Sequence, residues 1–137
     1  MTRTVRGPLL HIPFEKIARE ILGGGYALSL VLCADTLARR INHAYRLPAL
    51  KLRQAGKKNY SPNVLSFPLE KREGEIFLNV RKAEREARAM AAAPKDRIAH
   101  LFVHGCLHLK GLAHGARMEE LETRTLKKFG YAAPYRS

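Results

Sequence analysis

The stretch His104-Gly105-Cys106-Leu107-His108-Leu109-Lys110-Gly111-Leu112-Ala113-His114 decides how the chain is read. Its three histidines fall in the pattern H-x-x-x-H-x-x-G-x-x-H, inside the most apolar helix-like segment. At 3.6 residues per turn, His104 and His108 share one helix face, about 5–6 Å apart at Cβ, where two imidazoles can converge on one ion. A third ligand from the same rigid helix would fit poorly, so the chain has to turn back. Gly111 permits that turn through a left-handed backbone, and His114 follows from a new direction. Three protein nitrogens leave a fourth position open, as in a catalytic rather than a structural zinc site.

Other nearby side chains are weaker candidates. His100 continues the stripe, but it lies eight residues from His108, about 12 Å along the axis. It is expected to support a ligand or to pack in the core. Cys106 points to another face and reads as core. His11 and His43 read as ordinary surface or core histidines.

Outward from that stretch, 137 residues are enough for one domain, residues 1–137, with a core of its own. A content of 46% hydrophobic and 27% charged residues argues against disorder. Twenty-five Lys and Arg against twelve Asp and Glu give a formal net charge of +13, which points to an anionic partner, most often nucleic acid. Two cysteines, Cys33 and Cys106, make no disulfide framework and point to a reducing compartment. No apolar run approaches the roughly 18 residues of a membrane span, and the first dozen residues lack a signal-peptide core. A soluble, cytoplasmic protein is expected.

In chain order, residues 1–12 begin with a short edge strand. Pro13 opens a helix that Gly23-Gly24-Gly25 ends. Residues 26–33 read as a central strand, apolar on both faces. Asp35 is an expected N-cap for a helix in which Leu37, Ile41, Ala44 and Tyr45 share a face. Residues 46–62 lose periodicity and form a loop whose Lys51, Arg53, Lys57 and Lys58 are either solvated or a phosphate-binding rim. Residues 63–67 and 75–80 read as two strands of a hairpin with a turn around Gly74 and a long loop. Residues 81–92 form a basic helix with Ala83, Ala87 and Met90 as its apolar stripe. Pro94 starts the long central helix and Gly111 stops it. A last helix, residues 117–129, buries Met118, Leu121, Leu126 and Phe129. The expected class is α+β, a small mixed sheet of about four strands packed with four to five helices.

The residue after the first histidine limits the chemistry. Metzincin proteases place a Glu there as general base, in H-E-x-x-H-x-x-G-x-x-H, and here it is Gly105. Peptide hydrolysis loses the group that handles its protons. A phosphodiester needs less help at the leaving group and favours positive charge in the transition state. A metallopeptidase-like zinc hydrolase thus remains only as an alternative.

The same residues resemble the YbeY endoribonucleases, bacterial rRNA maturation factors, whose motif reads H-G-x-L-H-L-x-G-Y-D-H. Asn42, Tyr45 and Arg46 followed by Asn63-Val64-Leu65-Ser66-Phe67-Pro68 extend the likeness, as does the tail from Met118-Glu119-Glu120-Leu121-Glu122 to Gly130-Tyr131 and Pro134-Tyr135. The resemblance covers the chain from about Asp35 onward. It implies a YbeY-like fold with a metzincin-like zinc helix and one Zn2+, or another divalent transition metal, on His104, His108 and His114. It implies a single-strand-specific endoribonuclease of 16S rRNA 3′-end maturation and ribosome quality control, with ribosomal particles as partners. Arg46, from its residues alone either a helix-end cation or a guanidinium fork on the scissile phosphate, becomes the catalytic arginine. Ser66 takes a supporting place beside the site. Lys51, Arg53, Lys57, Lys58, Arg81, Arg85 and Arg88 are candidates to steer RNA. The sequence departs from the family pattern where Leu112-Ala113 replaces Tyr-Asp and where Gly115-Ala116-Arg117 shortens an acidic segment. A non-catalytic, ribosome-associated RNA-binding protein with a structural metal is the third reading.

Overall fold

A computed structural model of the chain describes residues 2–3, 11–46 and 61–134. The elements are β1 (Thr2–Arg3), α1 (Phe14–Leu22), β2 (Ala27–Cys33), α2 (Asp35–Ile41), a π-helical turn (Asn42–Arg46), β3 (Val64–Glu70), β4 (Glu73–Asn79), α3 (Val80–Ala89), α4 (Pro94–Lys110) and α5 (Ala116–Lys128). The sheet order is β1-β2-β4-β3, with β2 parallel to β4 and β3 antiparallel to it. This is the expected mixed α+β architecture, with five α-helices among the described residues. The strand count is smaller in substance, because β1 is a two-residue edge fragment and three strands carry the sheet.

The long helix α4 is the spine. Pro94 occupies its first turn, where a missing N–H costs nothing, and Gly111 closes it at φ 106°. Nine of its residues from Ile98 to Leu107 are buried, so it is apolar nearly all round and is packed by α1, α3, α5, β3 and β4. Phe102 meets Phe14 of α1 edge to face, ring centroids 4.9 Å apart. A side chain of that size, fully buried, contributes about 1.5–3 kcal/mol. Leu30 and Leu32 of β2 and Ile76 and Leu78 of β4 complete the core.

Several local expectations are corrected by tertiary contacts. Gly74 is not in the turn but buried in β4, where a Cβ would run into the Tyr26 hydroxyl and the Leu109 methyls. The hairpin turn is Lys71-Arg72, so the connection is tight, with a bulge between Pro68 and Glu70. Asp35 caps nothing: α2 begins at it, and Ala34 in the cap position makes no side-chain bond. Its carboxylate instead accepts from Ser61 (2.6 Å), Asn79 (2.8 Å) and both terminal nitrogens of Arg85 (2.9 Å each). The π-helical turn at 42–46 adds a residue to the repeat and rotates the faces of this segment, so Asn42 is buried while Ala44 is exposed. Met90 lies past the end of α3 and is 48% exposed, leaving Val80, Ala83 and Ala87 as the buried stripe. On α5 the stripe is Met118, Glu122 and Leu126, and Leu121 and Phe129 are only half-buried.

Candidate metal centre

The three expected ligands come together. One ligand atom from each of His104, His108 and His114 lies within 4.8 Å of the others. The His114 ring centroid is 4.7 Å from those of both His104 and His108. His104 and His108 ride one face of α4, half-buried, and His114 returns exposed from the turn after Gly111.

Hydrogen bonds fix how the two helical imidazoles point. His104 Nδ1 lies 3.0 Å from Glu122 Oε2 and His108 Nδ1 lies 3.1 Å from the Leu112 carbonyl oxygen. A carboxylate and a carbonyl accept, so each Nδ1 carries the hydrogen and each Nε2 presents a lone pair. Those two Nε2 atoms stand 2.9 Å apart. Facing lone pairs repel unless a shared proton or a cation relieves the approach, and the third imidazole beside them favours a cation. The donor set therefore fits a divalent transition metal, and imidazole suits zinc, nickel, copper or iron.

Glu122 is a residue that the sequence pattern alone did not single out. It is 1% exposed on α5, and one of its oxygens, Oε2, accepts from both His104 Nδ1 and His100 Nε2 at 3.0 Å. Burial pushes its carboxyl up, but the bonds and field of His100 and His104 outweigh that and hold it at about 2. A carboxylate behind a ligating imidazole fixes the tautomer and raises ligand basicity. The signal was present: Glu122 stands four residues from both Met118 and Leu126, an acid on an apolar stripe. His100, 7% exposed, lies outside the cluster of three, its two ring nitrogens facing Arg97 and Glu122.

Gly105 shows why no glutamate stands after the first histidine. A Cβ there would come within 3.0 Å of Ser66 Oγ, 3.2 Å of Ile76 Cδ1 and 3.3 Å of Val64 Cγ2, against the sheet. Ser66 is placed by the same approach, its hydroxyl donating 3.0 Å to the Gly105 carbonyl. It touches the backbone of α4 rather than a ligand.

The remaining candidates fall elsewhere. Arg46 ends the π-helical turn, and its side chain lies outside the described residues, as do Lys51, Arg53, Lys57 and Lys58. On α3, Arg81 pairs with Glu84 at 3.0 Å, Arg85 is held by Asp35, and Arg88 is exposed. Burial pushes both cysteine thiols up, Cys33 to about 11 with Asp35 adding to it, so neither is a nucleophile. Among the described residues no helix is long and apolar enough to cross a membrane.

Residues 10–130 match the family model described as Endoribonuclease YbeY. The chain belongs to that family. Relatives named Endoribonuclease YbeY include that of Bordetella petrii, 39% identical over 79% of this chain and 70% of its own length. That of Aromatoleum aromaticum is 36% identical over 86% and 75%, and that of Polynucleobacter asymbioticus 34% identical over 79% and 69%. A solution structure of a Thermotoga maritima protein shares the fold, with a TM-score of 0.62 over 90% of this chain and 85% of that one at 22% identity. For a YbeY-family chain, the histidine cluster and its glycine lie inside the matched region.

Proposed function

We propose that this chain is a metal-dependent endoribonuclease of rRNA processing, cutting single-stranded RNA in 16S rRNA 3′-end maturation and ribosome quality control. The observation that carries the reading is the convergence of His104, His108 and His114 in a chain of the YbeY family. In this reading residues 1–137 form one catalytic domain, working in the cytoplasm on rRNA and ribosomal particles. Zn2+ is the assigned ion, held by the three histidines. When bound, it supplies Lewis acidity and positive charge at the phosphodiester oxygens.

The chain's own residues do the rest. Glu122 and the Leu112 carbonyl keep His104 and His108 with Nε2 forward. Arg46 is assigned to the scissile phosphate, where a guanidinium fork matches two oxygens and adds charge. Lys51, Arg53, Lys57, Lys58, Arg81 and Arg88 are assigned to flanking phosphates. Arg85 is the weakest of that set, because Asp35 already engages its guanidinium. Close packing of Gly105 on the sheet leaves no carboxylate for the peptidase alternative.

The test is cleavage of single-stranded and structured RNA by the wild type, His108→Ala and Arg46→Ala, with metal content measured on the same samples. The expected result is metal-bearing wild type that cuts single strands, a His108 variant that loses both metal and cleavage, and an Arg46 variant that keeps metal and loses cleavage. Bound metal without cleavage by the wild type would favour the non-catalytic binding protein.

A further inference from the structure

Behind His104 the polar contacts run on in an unbroken line along α4 toward its N-terminal end. Glu122 Oε2 accepts from His100 Nε2 at 3.0 Å, and His100 Nδ1 lies 3.1 Å from Arg97 Nη1. Arg97 donates through Nε and Nη2 to Glu86 Oε1 at 3.0 and 2.9 Å. Glu86 accepts from Asn63 Nδ2 at 3.2 Å on both oxygens. Arg97, His100 and His104 stand at i, i+3 and i+7 of one helix, so they share its face. The line is mostly shielded: the Arg97 side chain is 15% exposed, that of His100 9% and that of Glu122 1%.

Charge alternates along it. Glu86 is negative, Arg97 positive, Glu122 negative, and a cation held by His104 would close the series. The two rings between them continue the alternation only with their ring hydrogens rightly placed. A guanidinium has hydrogens and no acceptor, so His100 Nδ1 must present its lone pair to Arg97. Its hydrogen then sits on Nε2 and points at the Glu122 carboxylate. In the other tautomer, N–H would face N–H at Arg97 and lone pair would face lone pair at Glu122. Both clashes would fall in a desolvated setting, where unmatched polar groups are costly.

We propose that Arg97 is a positioning residue for the metal: it sets the tautomer of His100, which holds the Glu122 carboxylate oriented toward His104. The proposal rests on the reading of His104 as a metal ligand. Its effect reaches the site through two side chains, so it differs from a salt bridge that only adds stability.

The experiment combines ring 15N–1H spectra of the zinc-free protein with chelator-competed zinc affinity. The proteins are the wild type, Arg97→Gln, His100→Gln and the double variant. Gln at 100 can donate its amide to Glu122 and has no tautomer to set. Expected are a single Nε2–H tautomer of His100 in the wild type and mixed tautomers in Arg97→Gln, with about ten-fold weaker zinc binding. In the His100→Gln background, removing Arg97 should change affinity by less than about two-fold. Unchanged tautomer or affinity in Arg97→Gln overturns the proposal. So does an equal loss in the His100→Gln background, since Arg97 would then act by another route. A wild type with an ordered His100 that binds no zinc sinks the metal reading itself, a separate failure because the tautomer is read without metal. Arg97→Met keeps the aliphatic bulk and replaces the Gln variant should that one not fold.

Discussion

Replacing Glu122 by Gln isolates what a buried carboxylate does behind a metal ligand. The exchange keeps volume, so no cavity opens in a residue that is 1% exposed. If the amide oxygen takes the place of Oε2, both imidazole N–H groups keep an acceptor, but a neutral one. Bonds to a charged group contribute about 1.5–3 kcal/mol and neutral ones about 0.5–1.5, so the two bonds together lose about 2 kcal/mol. If the amide nitrogen took that place, two donors would face a donor, at about 1–3 kcal/mol each, so the first orientation wins. Burial alone would favour the neutral amide, yet the carboxyl is held at about 2, which says that the imidazole donors prevail. Thermal unfolding in chelator should then fall by roughly 8 °C for a domain of this size. Zinc affinity, measured by chelator competition, should weaken by about 10–100-fold because the ligand imidazole becomes less basic. Equal stability in chelator together with unchanged zinc affinity would refute the reasoning.

The same geometry makes three more outcomes testable. Gly105→Glu should lose about 3 kcal/mol or more in urea unfolding and gain no peptide hydrolysis, because the side chain must enter a packed helix–sheet contact; a stable variant would contradict the packing account. Asp35 is held well below the usual carboxylate range, first by the hydrogen bond from Arg85 and then by Ser61, against its burial. A depressed folded-state pKa adds stability that is fully present above the unfolded value, near pH 4, and fades as pH falls below it. Asp35→Asn should therefore be less stable at neutral pH and flatten the acid limb of a stability–pH curve; parallel curves would rule the clamp out. Zinc at about a hundred times its dissociation constant should add about 2.7 kcal/mol, roughly 10 °C in Tm, and chelator should remove it; a Tm indifferent to both would count against the site.

What the sequence made legible was what local chemistry settles. Pro13 with Gly23 and Pro94 with Gly111 bound their helices where expected, since a missing N–H and a left-handed cap are properties of single residues. The histidine spacing converged as expected, because helix geometry alone brings His104 and His108 together. The failures lie mostly in tertiary contacts. Gly74 looked like a turn because nothing local reveals the Tyr26 ring and Leu109 methyls above it. Asp35 looked like a cap, and its true partners come from β4, α3 and the segment before β3. The π-helical turn at Asn42 broke a periodicity that assumes 3.6 residues per turn. Glu122 entered only within the tail motif, with no role of its own, although its place between Met118 and Leu126 on the buried stripe was a readable conflict.

The three histidines and Glu122 come from one helix, the turn after it and the next helix, and among the described residues no strand places a side chain in the cluster. A connection that short closes in about 10–100 ns, whereas the parallel pairing of β2 with β4 must bring Ala27 opposite Glu73 across most of the intervening chain. Closing the histidine cluster is thus a local event, whereas assembling the sheet is a long-range one. Zinc supplied during refolding should seed the α4–α5 hairpin early while leaving the slow phase to the sheet.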